Sequence, residues 1–237
     1  MSGRPRPPHR FALAMMAGGN VRAGPAFVSA AICLLCAAGS GEAQQRDQRA
    51  NLHEAIQQGL VEAEFQGRGA STGDSIIVKL TNLTTSRLEV TIEPGTVLKS
   101  VSGAVQDMIV ERVRGVPVDE RRFRPIDRIV LAAKLTERFI LLAYCLNFDR
   151  ANPGADSRFS VATVENPGVK QLFALLPQLA ADQRTVGAIQ IAVWVITDDV
   201  TRRQLQSRFP ATEADIASAR QLLERAGINV STKRLFR

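Results

Sequence analysis

The period of the hydrophobic pattern changes near residue 150, and this change limits the possible folds more than any other feature of the sequence. Before it, apolar and polar residues alternate, which is the pattern of half-buried strands. In the segment 87–98, for example, Leu88, Val90 and Ile92 form the apolar face. After it, apolar residues recur at the spacing of helices. A run of strands followed by a run of helices favours an α+β protein over a doubly wound sheet.

Several segments before residue 150 have the alternation or the β-branched content that is typical of strands. They are 73–82, 87–98, 104–113, 127–135 and 137–148. The loop between the first two, "LTTS" at 83–86, is short enough for a hairpin. Short strands at this spacing, with turn residues between them, predict a small antiparallel β-sandwich.

Helical signals dominate the rest of the chain. The predicted helices are 166–182, 198–209 and 213–226, and a further short amphipathic helix is predicted at 47–58. Asn166 and Pro167 suit the N-cap and the first position of a helix, and Pro177 is expected to kink or split that helix. Thr212 and Asp215 have the spacing of a capping box at the start of the last helix.

The first 43 residues have the features of a signal peptide. Four arginines precede an apolar stretch at 24–39, and the small residues of "GEA" precede Gln44. We therefore predict cleavage after residue 43 and export to the periplasm, the cell surface or the medium, with a retained N-terminal anchor as the alternative. The sequence leaves open whether translation starts at Met1 or at the Met15-Met16 pair.

These patterns together predict three parts and a fold class. Residues 1–43 are the signal peptide, residues 44–150 form a β-rich part that ends in a cysteine motif, and residues 151–237 form a mainly helical part that carries a glutamine motif. The fold class is α+β, with an N-terminal antiparallel β-sandwich-like part followed by a mainly helical C-terminal part. No segment after residue 43 is long and charge-free enough to span a membrane.

Composition excludes several classes of function. After residue 43 the chain has 26 basic and 22 acidic residues. This small positive surplus does not indicate a nucleic-acid partner. Cys33 and Cys36 leave with the signal peptide, and the remaining Cys145 has no cysteine with which to form an internal disulfide. With His53 as the only other soft ligand, we expect no metal site, no cofactor and no cysteine hydrolase. We predict that the protein is not an enzyme.

Gln190 is the only polar side chain in the most hydrophobic segment, "VGAIQIAVWVI" at 186–196. The β-branched content of this segment favours a strand, although its periodicity also fits a helix. Under both interpretations Gln190 is buried, and its carboxamide needs partners because an unpaired buried amide is costly. The simplest interpretation is that Gln190 bonds a nearby main chain and ties two elements together.

Cys145 likewise has a simple structural interpretation. It follows the apolar run "FILLAY", and cysteine is among the residues most often buried as a small hydrophobe. On this view Cys145 is an inert core residue.

The two segments together resemble a known family. Tyr144-Cys145-Leu146 resembles the Tyr/Phe-Cys-hydrophobic motif of the bacterial surface thioester domains found in Gram-positive adhesins. The segment with Gln190, Ala192, Val193 and Trp194 is similar to their Thr-Gln-x-Ala-hydrophobic-Trp motif, with Ile189 in place of the threonine. A third motif, hydrophobic-Gln-x-x-hydrophobic-hydrophobic, matches "VQDMIV" at 105–110 but lies upstream of the cysteine.

The resemblance implies a covalent function. In that family the cysteine and glutamine condense to an internal thioester, which an amine or hydroxyl on a target then attacks. It implies Cys145 and Gln190 as the thioester pair, with Tyr144, Leu146, Ala192, Val193 and Trp194 as motif neighbours, and adhesion at the cell surface as the role. The alternative is a non-covalent exported β-sandwich module, used for interaction or structure, in which Cys145 and Gln190 are core residues.

Overall fold

A computed structural model describes residues 48–119 and 122–237, which belong to one compact unit. The strands are β1 (Gln48–Asn51), β2 (Val61–Gly67), β3 (Thr72–Asn82), β4 (Leu88–Thr91), β5 (Thr96–Ser100), β6 (Met108–Pro117), β7 (Phe123–Pro125), β8 (Ile129–Leu131), β9 (Thr136–Cys145) and β10 (Arg158–Ala162). The α-helices are α1 (Leu52–Gln57), α2 (Pro167–Leu175), α3 (Val186–Thr197), α4 (Arg202–Arg208) and α5 (Glu213–Arg225). The predicted signal peptide, its cleavage site and the start codon lie outside the described residues.

Six of these strands close into an antiparallel β-barrel. Their order is β5-β10-β2-β3-β9-β6, and β6 pairs back onto β5 to complete the ring. The short strand β7 extends β6 as a hairpin outside the ring. Strands β1, β4 and β8 form a separate three-stranded sheet. Closure leaves the six barrel strands without an unpaired edge.

The predicted fold class is therefore wrong in its architecture. The strands form a closed barrel and not an N-terminal sandwich, and the later part of the chain is not simply helical, because β10 (Arg158–Ala162) lies between β2 and β5 in the ring. The predicted hairpin of 73–82 with 87–98 is also wrong, since β4 leaves the barrel and pairs with β1 and β8. Alternation identifies the buried face of a strand but not the strand that it pairs with.

The barrel interior on one side and the helices on the other explain why β9 is apolar on both faces. Phe139, Leu141, Ala143 and Cys145 share one face of β9, opposite the inward residues of β3, and are buried. The other face is buried in its second half because helices cover it. There the ring of Tyr144 meets the ring of Phe173 in α2, with the ring centroids 6.2 Å apart.

The helix boundaries follow the capping residues that the sequence indicates. The side chain of Asn166 accepts hydrogen bonds at the start of α2, and α2 gives way at Pro177 to the 3-10 helix Leu176–Gln178. Thr212 and Asp215 form both bonds of a capping box at the start of α5.

Among the residues that the structure describes, no helix has the length and apolar character needed to cross a membrane.

Removing a large side chain from the barrel interior should destabilise the fold. Phe65 of β2 is 2 % exposed and lies opposite Val78 and Phe159 of the neighbouring strands. We expect Phe65→Ala to lower the free energy of unfolding by about 3–5 kcal/mol, because it removes apolar contacts and leaves a cavity. Urea denaturation followed by the fluorescence of Trp194, the single tryptophan, measures this loss. Leu83→Ala, at a site 42 % exposed, is the control, with an expected change within about 0.5 kcal/mol.

Candidate functional site

The glutamine segment is a helix, and the strand that its β-branched content favoured does not form. Thr185 caps α3 by accepting a hydrogen bond from the N–H of Ala188. Every side chain from Ala188 to Val195 is buried, because the barrel lies on one side of α3 and α5 packs on another. A helix that is apolar all round is a buried helix, and burial here overrides the propensity of its valines and isoleucines.

The cysteine lies where the ladder between β3 and β9 ends. The pairing of these strands stops at Thr72 and Tyr144, after an irregularity next to Gly73. Gly73 has a φ of +82°, a left-handed conformation that favours glycine. Cys145 is the next residue on β9, so its main-chain N–H and C=O lie beyond the end of the β3 ladder.

Gln190 supplies the missing partner. The main-chain N–H of Cys145 donates to Oε1 of Gln190 at 2.9 Å, and Nε2 of Gln190 donates to the main-chain carbonyl of Cys145 at 2.9 Å. Both residues are 0 % exposed. The carboxamide therefore acts like one more residue of the neighbouring strand, and it joins two segments that lie 45 residues apart.

The thiol of Cys145 has separate contacts. Sγ donates to the main-chain carbonyl of Ser71 at 2.7 Å, and it lies 3.5 Å from Sδ of Met108 on β6. Burial raises the pKa of the Cys145 thiol to about 12, and the positive charge of Arg208 opposes that rise. At neutral pH the group is therefore a thiol and not a thiolate, and its nucleophilicity is low.

Tyr144 belongs to a buried charge cluster on the opposite face of β9. Its hydroxyl donates to Oε2 of Glu111 at 2.6 Å, and Glu111 also contacts Arg112 at 2.7 Å and Arg184 at 3.2 Å. Burial and the neighbouring carboxylate raise the pKa of Tyr144 above its usual value. Arg184 directly precedes the cap of α3, so this cluster is a second connection between β6, β9 and α3.

The other motif neighbours have structural roles. The N–H of Leu146 donates to the carbonyl of Asp107 at 2.7 Å, which continues the pairing of β9 with β6. Ala192 and Val193 are buried in α3. Trp194 packs edge-on against Phe148 and Phe209, and the ring centroids are 5.1 Å and 5.4 Å from that of Trp194.

The third motif lies beside the cysteine in space, although it precedes the cysteine in the chain. Met108 pairs with Cys145 across β6 and β9. Nε2 of the buried Gln106 donates to the carbonyl of Arg150 at 3.2 Å and to Oδ1 of Asn152 at 3.0 Å. Gln106 thus fixes the loop that follows Cys145, and all three motif segments meet at one end of the barrel.

Sequence reasoning missed three residues at this site. Glu111 carried a usable signal, since it is a carboxylate inside the predicted strand 104–113. Arg184 and Arg208 had none, because an arginine in a polar stretch is ordinarily on the surface. Their positions depend on how the helices pack on the barrel.

No family model, curated protein sequence or solved structure significantly matches this chain. Within residues 48–119 and 122–237, no group of three or more His, Cys, Asp and Glu side chains is placed to hold a metal ion.

Gln190→Met tests the contribution of the carboxamide to stability. The change keeps a similar volume but leaves the buried N–H and C=O of Cys145 without their side-chain partners. We expect the free energy of unfolding to fall by about 2–4 kcal/mol, since each unsatisfied buried group costs about 1–3 kcal/mol. Gln178→Met is the matched control, because Gln178 is exposed and donates only to the main-chain carbonyl of Ala174, four residues earlier. Equal urea midpoints for the two variants would show that the Gln190 carboxamide does not stabilise the fold.

Proposed function

We propose that this protein is an exported, thioester-domain-like protein in which Cys145 and Gln190 condense to an internal thioester for covalent attachment to a surface nucleophile. The observation that carries the proposal is the direct contact between these two residues, which the resemblance implied from two separate motifs.

The hydrogen bonds of the carboxamide favour the reaction. Sγ of Cys145 attacks Cδ of Gln190, the Cδ–Nε2 bond breaks, and Nε2 leaves as ammonia with the thiol proton. The main-chain N–H of Cys145, 2.9 Å from Oε1, is the donor that stabilises negative charge on this oxygen during the attack. After the reaction, the same N–H continues to bond the thioester carbonyl.

The surroundings of the pair favour a long-lived product. Both residues are buried, so water is excluded from the bond that forms. Ser71 is half-buried, and its carbonyl contacts the sulfur. Displacement of Ser71 would open a route from solvent, along which an amine or hydroxyl of a surface target reaches Cδ. That attack leaves the target bonded to Gln190 and restores the thiol.

The first test is the intact mass of the protein with and without methylamine. We expect a mass one ammonia below the calculated value, and one methylamine adduct per chain after treatment. Cys145→Ala should have its full calculated mass and take up no methylamine. Gln178→Met retains the reactive pair and should behave like the wild type. The full calculated mass in the wild type, without methylamine uptake, would overturn the proposal.

A second candidate function has its own support. Each heteroatom of the Gln190 carboxamide already has a hydrogen-bond partner, and the thiol has its own acceptor in Ser71. This arrangement also suits a non-covalent exported barrel module for interaction or structure, in which the pair only ties α3 to β9. In that case unfolding in the presence of a thiol reagent releases one thiol per chain, and the native protein has its full mass.

Export is a separate proposal with a separate measurement. It rests on the charge and apolar pattern of residues 1–43. We expect the protein recovered from outside the cytoplasm to begin at Gln44, as determined by N-terminal sequencing. Recovery of chains that retain the apolar stretch 24–39 would instead support the N-terminal anchor.

A further inference from the structure

The end of α4 contacts both segments that carry the proposed thioester pair. Arg208 is the last residue of α4, and Phe209 follows it. One contacts the loop after Cys145, and the other contacts the helix that carries Gln190. The two neighbouring side chains therefore connect the cysteine segment and the glutamine segment at one point.

Arg208 binds the loop after Cys145 through three contacts. Its Nη1 donates to the main-chain carbonyl of Phe148, and its Nη2 donates to the carbonyl of Arg150 at 2.8 Å. Its guanidinium also lies over the ring of Phe148, 5.3 Å from the centroid. A planar guanidinium with two donors and a stacking face fixes the geometry of this loop in a way that a lysine cannot.

Phe209 continues the same contact onto α3. Its ring packs edge-on against Trp194, which packs edge-on against Phe148. Trp194 lies one helical turn after Gln190, so the aromatic cluster of Phe148, Trp194 and Phe209 fixes α3 relative to the cysteine loop. A shift of α3 along the barrel would disturb this cluster and the carboxamide contact together.

The charge of Arg208 also acts on the sulfur. Desolvation raises the pKa of the Cys145 thiol, and the positive charge of Arg208 is the influence that lowers it. A thiolate or a developing negative charge near Cys145 is therefore stabilised from the α4 side. None of the other contacts of Cys145, with Ser71, Met108 and Gln190, brings a positive charge.

We infer that Arg208 is a positioning residue for the Cys145–Gln190 reaction, which fixes the cysteine loop against α3 and supplies the positive charge that favours attack by the sulfur. This inference rests on the proposed function, because it assigns a role in the same reaction. It adds a residue that lies outside the three motifs.

The experiment compares Arg208→Gln, Arg208→Lys and the control Arg203→Gln. Arg203 is an exposed arginine of the same helix. Each protein is unfolded and treated with ammonia, which converts any thioester back to the thiol and the glutamine carboxamide, and it is then refolded without ammonia while the loss of one ammonia is followed by intact mass. We expect Arg208→Gln to form the bond several-fold more slowly, because it loses both the positive charge near the sulfur and the two hydrogen bonds that fix the cysteine loop. Arg208→Lys should be intermediate, since it keeps the charge and loses the paired hydrogen bonds, and Arg203→Gln should match the wild type.

A second readout separates this inference from the proposed function. In a Gln190→Met background no thioester can form, and the thiolate fraction of the buried Cys145 is measured against pH from the loss of its S–H stretch in the Raman spectrum, since a reagent such as iodoacetamide does not reach this thiol in the folded protein. Loss of the positive charge should move the rise of this profile to higher pH in Arg208→Gln, and Arg203→Gln should leave it in place. Unchanged profiles and unchanged rates of ammonia loss would overturn the role of Arg208. A shifted profile in a protein whose wild type never loses ammonia would overturn the thioester and keep the electrostatic effect of Arg208.

Discussion

The contact between the Gln190 carboxamide and the main chain of Cys145 is the interaction on which the arrangement of barrel and helices depends. It satisfies two buried main-chain groups at the point where β3 stops pairing with β9. An unpaired N–H or C=O at this depth would destabilise the fold, so α3 has to lie where its glutamine reaches this site. The chemistry that we propose uses the same contact, because the atoms that hold the carboxamide are those that would polarise it.

The second connection is electrostatic. Glu111, 3 % exposed at its side chain, receives donors from Tyr144, Arg112 and Arg184. A buried carboxylate is tolerated only where it is paired and hydrogen-bonded, and here the partners come from β6, from β9 and from the residue before the cap of α3. The two connections fix α3 at two points, one at the main chain of Cys145 and one at the side chains of Tyr144 and Glu111, which limits its freedom to slide. The aromatic cluster around Trp194 and the guanidinium of Arg208 complete this fixation from the α4 side.

Much of the local structure could be predicted from the sequence. The strand β4 and the helices α2 and α5 lie within the predicted segments, and β3 and β9 begin one residue before theirs, because alternation, caps and prolines act over a few residues. The burial of Gln190 and its need for partners also followed from its apolar neighbours. Strand β1 forms where the predicted helix 47–58 begins, and the strands β2, β7 and β10 were missed. The sandwich was wrong because pairing partners are set by contacts between distant segments.

The sequence by itself determined the faces and the caps, since these depend on residue type and spacing within a few turns, and the resemblance of two separate motifs singled out Cys145 and Gln190 as the pair to test. The tertiary structure alone decided that the strands close into a barrel, that α3 is a helix despite its β-branched residues, and that Cys145 and Gln190 meet through a main chain. It also decided that Arg208 lies against the cysteine loop. The physical reason is that burial and hydrogen-bond satisfaction are properties of the whole packed chain, and they override local propensity wherever the two conflict.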